Sequence, residues 1–360
     1  MVRTLRPRAH RPQHASGRNP GLDRSDAPAR GLSGKRGWLC YLPGVHPASR
    51  SLIDRWIYAA KVDSWPKLLV PTILGQALGV AAAGRVDPRA FVLGLCFTIC
   101  QLLFVVFLND WGDRRVDRIK RQMFPEGCSP KTIPDAILPG SAVLTAGVVA
   151  GLAGLGVALY AELSLARAGA TWSALALMAI FLAYTFWPLR LNYRGGGEWL
   201  EGLGVGLVLP WFHLFLQSGE SGLVRELWLL PGFCLLALAS AVASGLSDEQ
   251  SDRRGGKRTY ASEYGNRAAR ALVERLGLAA ALVWAVTVRV SGVVPAPVGA
   301  LVVIVVLVNW RRLRKLSPEA TTNAFDAQRA YKRVLHQAQW RSATLIAVIL
   351  IALTILGWRR

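Results

Sequence analysis

Residues 97–117 read FTICQLLFVVFLNDWGDRRVD, an uncharged apolar stretch that runs without a break into Asn109, Asp110, Asp113 and Asp117. Asn109, Asp113 and Asp117 recur at i, i+4 and i+8. A helix that continues past Leu108 therefore carries all three on one side, over about 12 Å at 1.5 Å of rise per residue. Carboxylates at the end of so apolar a segment mark the boundary between lipid and water.

The rest of the chain repeats the apolar half of that pattern. Within its 360 residues the apolar positions gather into long runs rather than at the amphipathic spacing of a soluble helix. Nine runs approach the roughly 17–25 residues that cross a hydrocarbon core: 66–83, 90–108, 141–160, 171–187, 199–217, 228–246, 271–289, 293–310 and 342–358. The expectation is an all-α membrane protein, a nine-transmembrane-helix bundle over 66–358, with two pseudo-repeated four-helix units plus one helix as a possible arrangement.

The formal net charge of +21 raises nucleic acid as a partner, but the charge lies in alternate loops. Arg114, Arg115, Arg118, Lys120, Arg121 and Lys131 follow the second run, and Arg190 and Arg194 the fourth. Arg253, Arg254, Lys257, Arg258, Arg267 and Arg270 follow the sixth, and Arg311, Arg312, Arg314, Lys315, Lys332 and Arg333 the eighth. The positive-inside rule then puts these loops and the N-terminus in the cytoplasm, as for a multi-pass protein of a bacterial inner membrane. Residues 1–50, rich in Arg, Gly, Pro and Ser, read as a disordered basic cytoplasmic tail without the apolar core of a signal peptide. Residues 51–65 have the mixed spacing of a segment that lies along the interface. The five cysteines form no metal-spaced set and, being odd in number, no simple disulfide framework. His213, alone in an apolar run, reads as a hydrogen-bonded structural histidine.

A second acidic set, Asp248 and Asp252 with Ser244 one turn earlier, emerges from the sixth run as the first set does from the second. Carboxylates crowded at a membrane edge repel one another and lose hydration, so two such clusters on the same side call for a cation. Mg²⁺ takes one or two carboxylates and fills its shell with water and substrate phosphates. Two facing clusters therefore read as a clamp for a metal–diphosphate group, with Arg121, Lys131, Lys257 and Arg258 neutralising the remaining charge. The competing readings are a solvated helix end for either cluster alone, and a transporter, whose ion-binding carboxylates belong nearer the bilayer midplane.

With these motifs the chain resembles the UbiA superfamily of intramembrane prenyltransferases over about residues 60–358. Asn109, Asp110, Asp113 and Asp117 fill the pattern NDxxDxxxD, Asp248 and Asp252 fill DxxxD, and Ser244 replaces an optional earlier Asp. Trp65-Pro66-Lys67-Leu68-Leu69 stands where the family has an RPKTL-type entry segment, with Trp in place of Arg. Residues Tyr184 to Glu198 look most like the YRGLGE stretch of 1,4-dihydroxy-2-naphthoate polyprenyltransferases, with Gly196 where Leu is usual. The resemblance implies nine helices and Mg²⁺-dependent transfer of a polyprenyl group from an allylic diphosphate to a small aromatic acceptor, as in menaquinone biosynthesis. It implies Lys67 at the diphosphate, and Tyr184, Arg190, Tyr193 and Arg194 at the acceptor or prenyl chain. Other acceptors of the superfamily, 4-hydroxybenzoate, homogentisate, haem and non-aromatic alcohols, stay open. Membrane lipid is an expected partner, and nothing calls for nucleic acid or an obligate protein partner.

Overall fold

A computed structural model describes residues 46–357; the expected tail lies outside them except for its last residues, where Pro47–Ser49 form a 3₁₀ turn. The helices are α1 Leu52–Ala59, α2 Pro66–Ala83, α3 Pro88–Met123, α4 Gly140–Ser164, α5 Ala170–Thr185, α6 Leu191–Arg194 and α7 Gly197–Leu203. There follow α8 Leu209–Ser218, α9 Leu230–Ser244, α10 Glu249–Gly255, α11 Tyr260–Tyr264, α12 Asn266–Ser291, α13 Ala296–Leu316 and α14 Phe325–Ile355. A π-helical stretch, Gly204–Val208, joins α7 to α8 into one continuous rod.

Among the described residues eight helices are long and apolar enough to cross a membrane, not nine. The segment expected at 171–187 forms the 16-residue α5, about 24 Å long at 1.5 Å per residue and short of the roughly 30 Å hydrocarbon core. Pro188 stops it early, because proline lacks an amide donor and drives the residue before it out of the helical region. The count of nine, and the division into two four-helix units plus one helix that rested on it, is corrected accordingly. The multi-pass character stands. Large apolar side chains lie outward on the bundle, Leu152 at 64% exposure and Val286 at 61%, which is the arrangement lipid favours and water opposes.

Small residues set the close packing. A Cβ on Gly79 would meet the Leu214 carbonyl oxygen of α8 at 2.6 Å, and one on Gly147 would meet Leu108 Cδ2 of α3 at 2.7 Å. Only glycine lets α2 reach α8 and α4 reach α3 so closely. Two polar side chains deep in the bundle are paired, as an apolar surround favours. His213 is fully buried, with Thr98 Oγ1 at 3.0 Å and Thr72 Oγ1 at 3.1 Å from Nε2 and Gln76 Nε2 at 3.3 Å from Nδ1. That is the structural histidine expected from sequence. Trp284 Nε1 donates to the Leu229 carbonyl at 2.8 Å, tying α12 to the start of α9.

The long α3 positions the first acidic set. Pro88 occupies its first turn, and the Asp87 carboxylate accepts from the amides of Arg89 and Ala90 at 3.0 and 3.2 Å, an N-cap that satisfies two otherwise orphaned donors. Its 36 residues reach about 54 Å. The helix thus outruns the hydrocarbon core and carries residues 109–123 beyond the apolar run. Lys120 and Arg121 in its last turn complement the negative end of the helix dipole.

Candidate functional site

α3 and the α9–α10 junction deliver the two acidic sets to one cavity of about 350 Å³. Asn109 and Asp113 line it from α3, Asp248 and Asp252 from α10 and its N-cap, and Tyr184 from α5. Lys67 enters from the first turn of α2, and Lys257 from the turn after α10. Apolar side chains of the wall include Leu68, Leu102, Val105, Ile180, Phe181 and Val205.

Each aspartate of the two sets has a polar or cationic partner. Asp113 Oδ2 accepts from Lys257 Nζ at 2.7 Å and Oδ1 from the Tyr193 hydroxyl at 3.3 Å. Asp248 is held by Lys120. Asp252 Oδ2 accepts from Thr259 Oγ1 at 3.3 Å. Asp117 pairs with Lys131 at 2.7 Å, and neither lines the cavity. Asp110 also lies off it, with one oxygen on Lys61 and the other accepting from Thr132 Oγ1 at 2.6 Å. Its buried carboxylate pins the segment after α1 and the loop before α4 to α3.

The electrostatics follow from this crowding. Burial pushes the Asp252 carboxyl above its ordinary range, and the charges of Asp248 and Asp113 add to the rise while Lys257 opposes it. Burial likewise opposes the charge on Asp248, but the ammoniums of Lys120 and Lys131 overcome it and hold that carboxyl below its usual value. Burial would lower Lys257, but Asp113 and Asp252 outweigh it and keep the ammonium charged. Burial and the Asp113 carboxylate push Tyr193 up to about 12, so it stands as a neutral donor.

Several residues expected at the site are elsewhere. Arg121 ties down the loop after α3, with Nε on Asp135 at 3.0 Å and Nη1 on the Pro125 carbonyl at 2.6 Å. Arg258 is exposed and pairs with Glu263 at 2.9 Å. Arg190 stacks on the Tyr193 ring at 3.6 Å, away from the cavity, and Arg194 is exposed. The structure adds Lys61, Gln101, Asn192, Glu198, Glu201 and Thr259 to the lining. Asn192 is buried, and its Nδ2 has no hydrogen-bond partner among the described residues. Glu201 pairs with Lys67, and Glu198 accepts from the Tyr260 amide at 2.6 Å. No motif spacing marks these six; Glu198 and Asn192 lie inside the stretch from Tyr184 that stood out, and the rest carry no sequence signal.

Among the described residues no three carboxylate, histidine or cysteine side chains converge as a ready metal cage. The donor set still fits Mg²⁺, which uses one or two carboxylates and completes its octahedron with water and phosphate. Five carboxylates and three lysines line the cavity, an excess of negative charge in a confined space. The ammoniums on Asp113 and Asp248 occupy positions that a cation favours.

Comparison with known proteins agrees with this architecture. Residues 68–340 match the model of the UbiA prenyltransferase family. A 1,4-dihydroxy-2-naphthoate octaprenyltransferase of Bacillus subtilis (strain 168) is 27% identical over 233 residues, covering 62% of this chain and 70% of the relative. Chlorophyll synthase of Arabidopsis thaliana is 28% identical over 200 residues, 52% of this chain and 46% of its own length. Among solved structures, a UbiA homolog from Archaeoglobus fulgidus bound to DMAPP and Mg²⁺ superimposes with a TM-score of 0.59 at 13% identity, covering 81% of this chain and 99% of that one. A digeranylgeranylglyceryl phosphate synthase structure gives 0.53 at 14% identity, covering 81% and 99%. The family match takes in both acidic sets and the helices that carry them: this chain belongs to the UbiA prenyltransferase family.

Proposed function

We propose that the protein transfers a polyprenyl group from an allylic diphosphate to 1,4-dihydroxy-2-naphthoate, with Mg²⁺ at the mouth of the cavity and that mouth facing the cytoplasm of a bacterial cell. The observation that carries the reading is the meeting of Asn109, Asp113, Asp248 and Asp252 in one cavity whose wall also carries Leu68, Leu102, Val105, Ile180, Phe181 and Val205. An amphiphile with a diphosphate head and a hydrocarbon tail matches that combination. The B. subtilis relative favours the naphthoate acceptor, and the A. fulgidus homolog, whose structure holds DMAPP and Mg²⁺, favours the donor and the metal.

Asp113, Asp248 and Asp252, with Asn109, are the residues that would hold Mg²⁺, which when bound offsets the diphosphate charge and eases cleavage of the allylic C–O bond. Lys67 and Lys257 reach the same mouth and exchange their carboxylates for phosphate oxygens. The diphosphate leaves with the bonding electron pair, and the ring carbon of the acceptor bonds to the terminal carbon of the prenyl group. Carbon dioxide leaves the naphthoate from that position. Phe181 and the neighbouring aliphatic side chains keep water away from the electron-poor allylic carbon, and Tyr184 presents an aromatic face to it. The buried amide of Asn192 supplies a free donor for the acceptor.

The test is an assay of purified protein in detergent with Mg²⁺, a radiolabelled polyprenyl diphosphate and a panel of aromatic acids. Lipid-soluble product with 1,4-dihydroxy-2-naphthoate is expected. Product only with another acceptor defeats the naphthoate assignment, and no product with any acid of the panel, from folded protein, defeats the aromatic-acid reading and points to a non-aromatic acceptor.

A further inference from the structure

Gln101 shares a face of α3 with Asn109. Gln101, Val105 and Asn109 recur at i, i+4 and i+8, and all three line the cavity. The rise from Gln101 to Asn109 is about 12 Å at 1.5 Å per residue, which sets the glutamine inside the bundle, about two turns from the first acidic set. It is 5% exposed, and among the described residues its side-chain amide has no hydrogen-bond partner. Gln76 on α2 is buried as deeply, yet its amide meets the Ala90 carbonyl and His213. The cavity-lining neighbours of Gln101 on α3 are Leu102, Val105 and Val106, and none has a polar side chain to offer.

A buried carboxamide in such a wall is unfavourable unless a ligand or water meets it. The two substrates differ in their power to do so. Beyond its diphosphate a prenyl donor is hydrocarbon, so a tail lying over Gln101 leaves the amide unpaired. An acceptor of the hydroxylated aromatic acid class carries oxygens around its ring. Its reacting carbon must meet the allylic carbon, which hangs inward from a diphosphate held at Asn109 and Asp113, toward the turn of Val105. Gln101 lies one turn further along the same face. We propose that Gln101 recognises the acceptor: its side-chain amide forms a hydrogen bond with an oxygen of the acceptor and so turns the reacting carbon toward the allylic carbon. The residue stands outside both acidic sets and selects for an acceptor with an oxygen on the side of the ring away from the diphosphate. The inference rests on the prenyl-transfer reading above and adds how the second substrate is chosen.

The experiment compares full-length wild type and Gln101→Met in detergent with Mg²⁺, since methionine keeps the length of the side chain and removes both hydrogen-bonding atoms. It measures KM for 1,4-dihydroxy-2-naphthoate and for a polyprenyl diphosphate, the inhibition constant of 1-hydroxy-2-naphthoate, which lacks the 4-hydroxyl, and the melting temperature. Gln101→Met is expected to raise KM for the naphthoate by roughly tenfold, as loss of a hydrogen bond inside a binding site does, with KM for the diphosphate and the melting temperature kept. A loss that the inhibitor does not share places the contact on the 4-hydroxyl, and a loss that it shares places it on the 1-hydroxyl or the carboxylate. Unchanged KM for the naphthoate overturns the inference and leaves the amide to water. A rise in both KM values together with a lowered melting temperature also overturns it, as the mark of a packing role. Wild type that makes no product from the naphthoate defeats the acceptor reading and the inference with it, an outcome told apart from the others because no variant is involved.

Discussion

Asp113→Asn removes one charge and almost no volume from the centre of the cavity mouth. Asp113 Oδ2 accepts from Lys257 at 2.7 Å and Oδ1 from the Tyr193 hydroxyl at 3.3 Å. Breaking a buried ion pair by deleting one partner costs roughly 3–5 kcal/mol, but Asp252 also acts on Lys257 and remains to receive it. The loss of stability therefore falls nearer the value of a single charge-assisted hydrogen bond, about 1.5–3 kcal/mol. For turnover, removal of one preorganised group at a developing charge costs roughly a hundred- to a thousandfold. The assay is turnover at saturating Mg²⁺ beside thermal unfolding of the same preparation. The double variant Asp113→Asn, Lys257→Met, which deletes both partners, is expected to recover much of the stability and none of the activity. Turnover by Asp113→Asn within about threefold of wild type, from protein that folds normally, would refute the role assigned to this carboxylate.

Three further outcomes follow from the packing. Arg258→Ala is expected to leave the KM for the diphosphate unchanged, because the side chain is exposed and bound to Glu263; a rise of about tenfold would place it on the substrate instead. Gly147→Ala drives a Cβ against Leu108 and should cost about 1–3 kcal/mol, read as a lower unfolding temperature. His213→Leu removes one hydrogen bond from each of Thr72, Thr98 and Gln76, while Thr72 and Thr98 keep each other and Gln76 keeps the Ala90 carbonyl, so it should cost about 1–3 kcal/mol in all. Its KM values should stay at those of wild type, and a selective change in KM would argue for a functional histidine.

Much of the architecture was legible because lipid imposes a coarse rule. A helix that meets hydrocarbon must be apolar for most of its length, so the run 66–83 became α2, residue for residue, and the stretch from Phe97 to Asp117 became one unbroken helix. The same rule overcounted at 171–187, where composition met the hydropathy requirement but Pro188 cut the helix to 16 residues. Helical spacing also brought Asn109 and Asp113 to one face, as expected, while Asp117 and Asp110 lie off the cavity with Lys131 and with Lys61 and Thr132.

Sequence by itself determined the membrane setting, the two acidic sets and the approach of each to the bundle end, since all three depend on residues close together in the chain. Tertiary structure decided which of the expected cations serve the cavity. Arg121 and Arg258 neighbour the motifs in sequence yet are drawn to Asp135 and Glu263, whereas Lys67 and Lys257, expected there, line the wall together with Lys61, from the segment after α1, which was not. A long cationic side chain settles on the nearest unsatisfied carboxylate in space. That choice depends on how distant helices pack, and no local spacing encodes it.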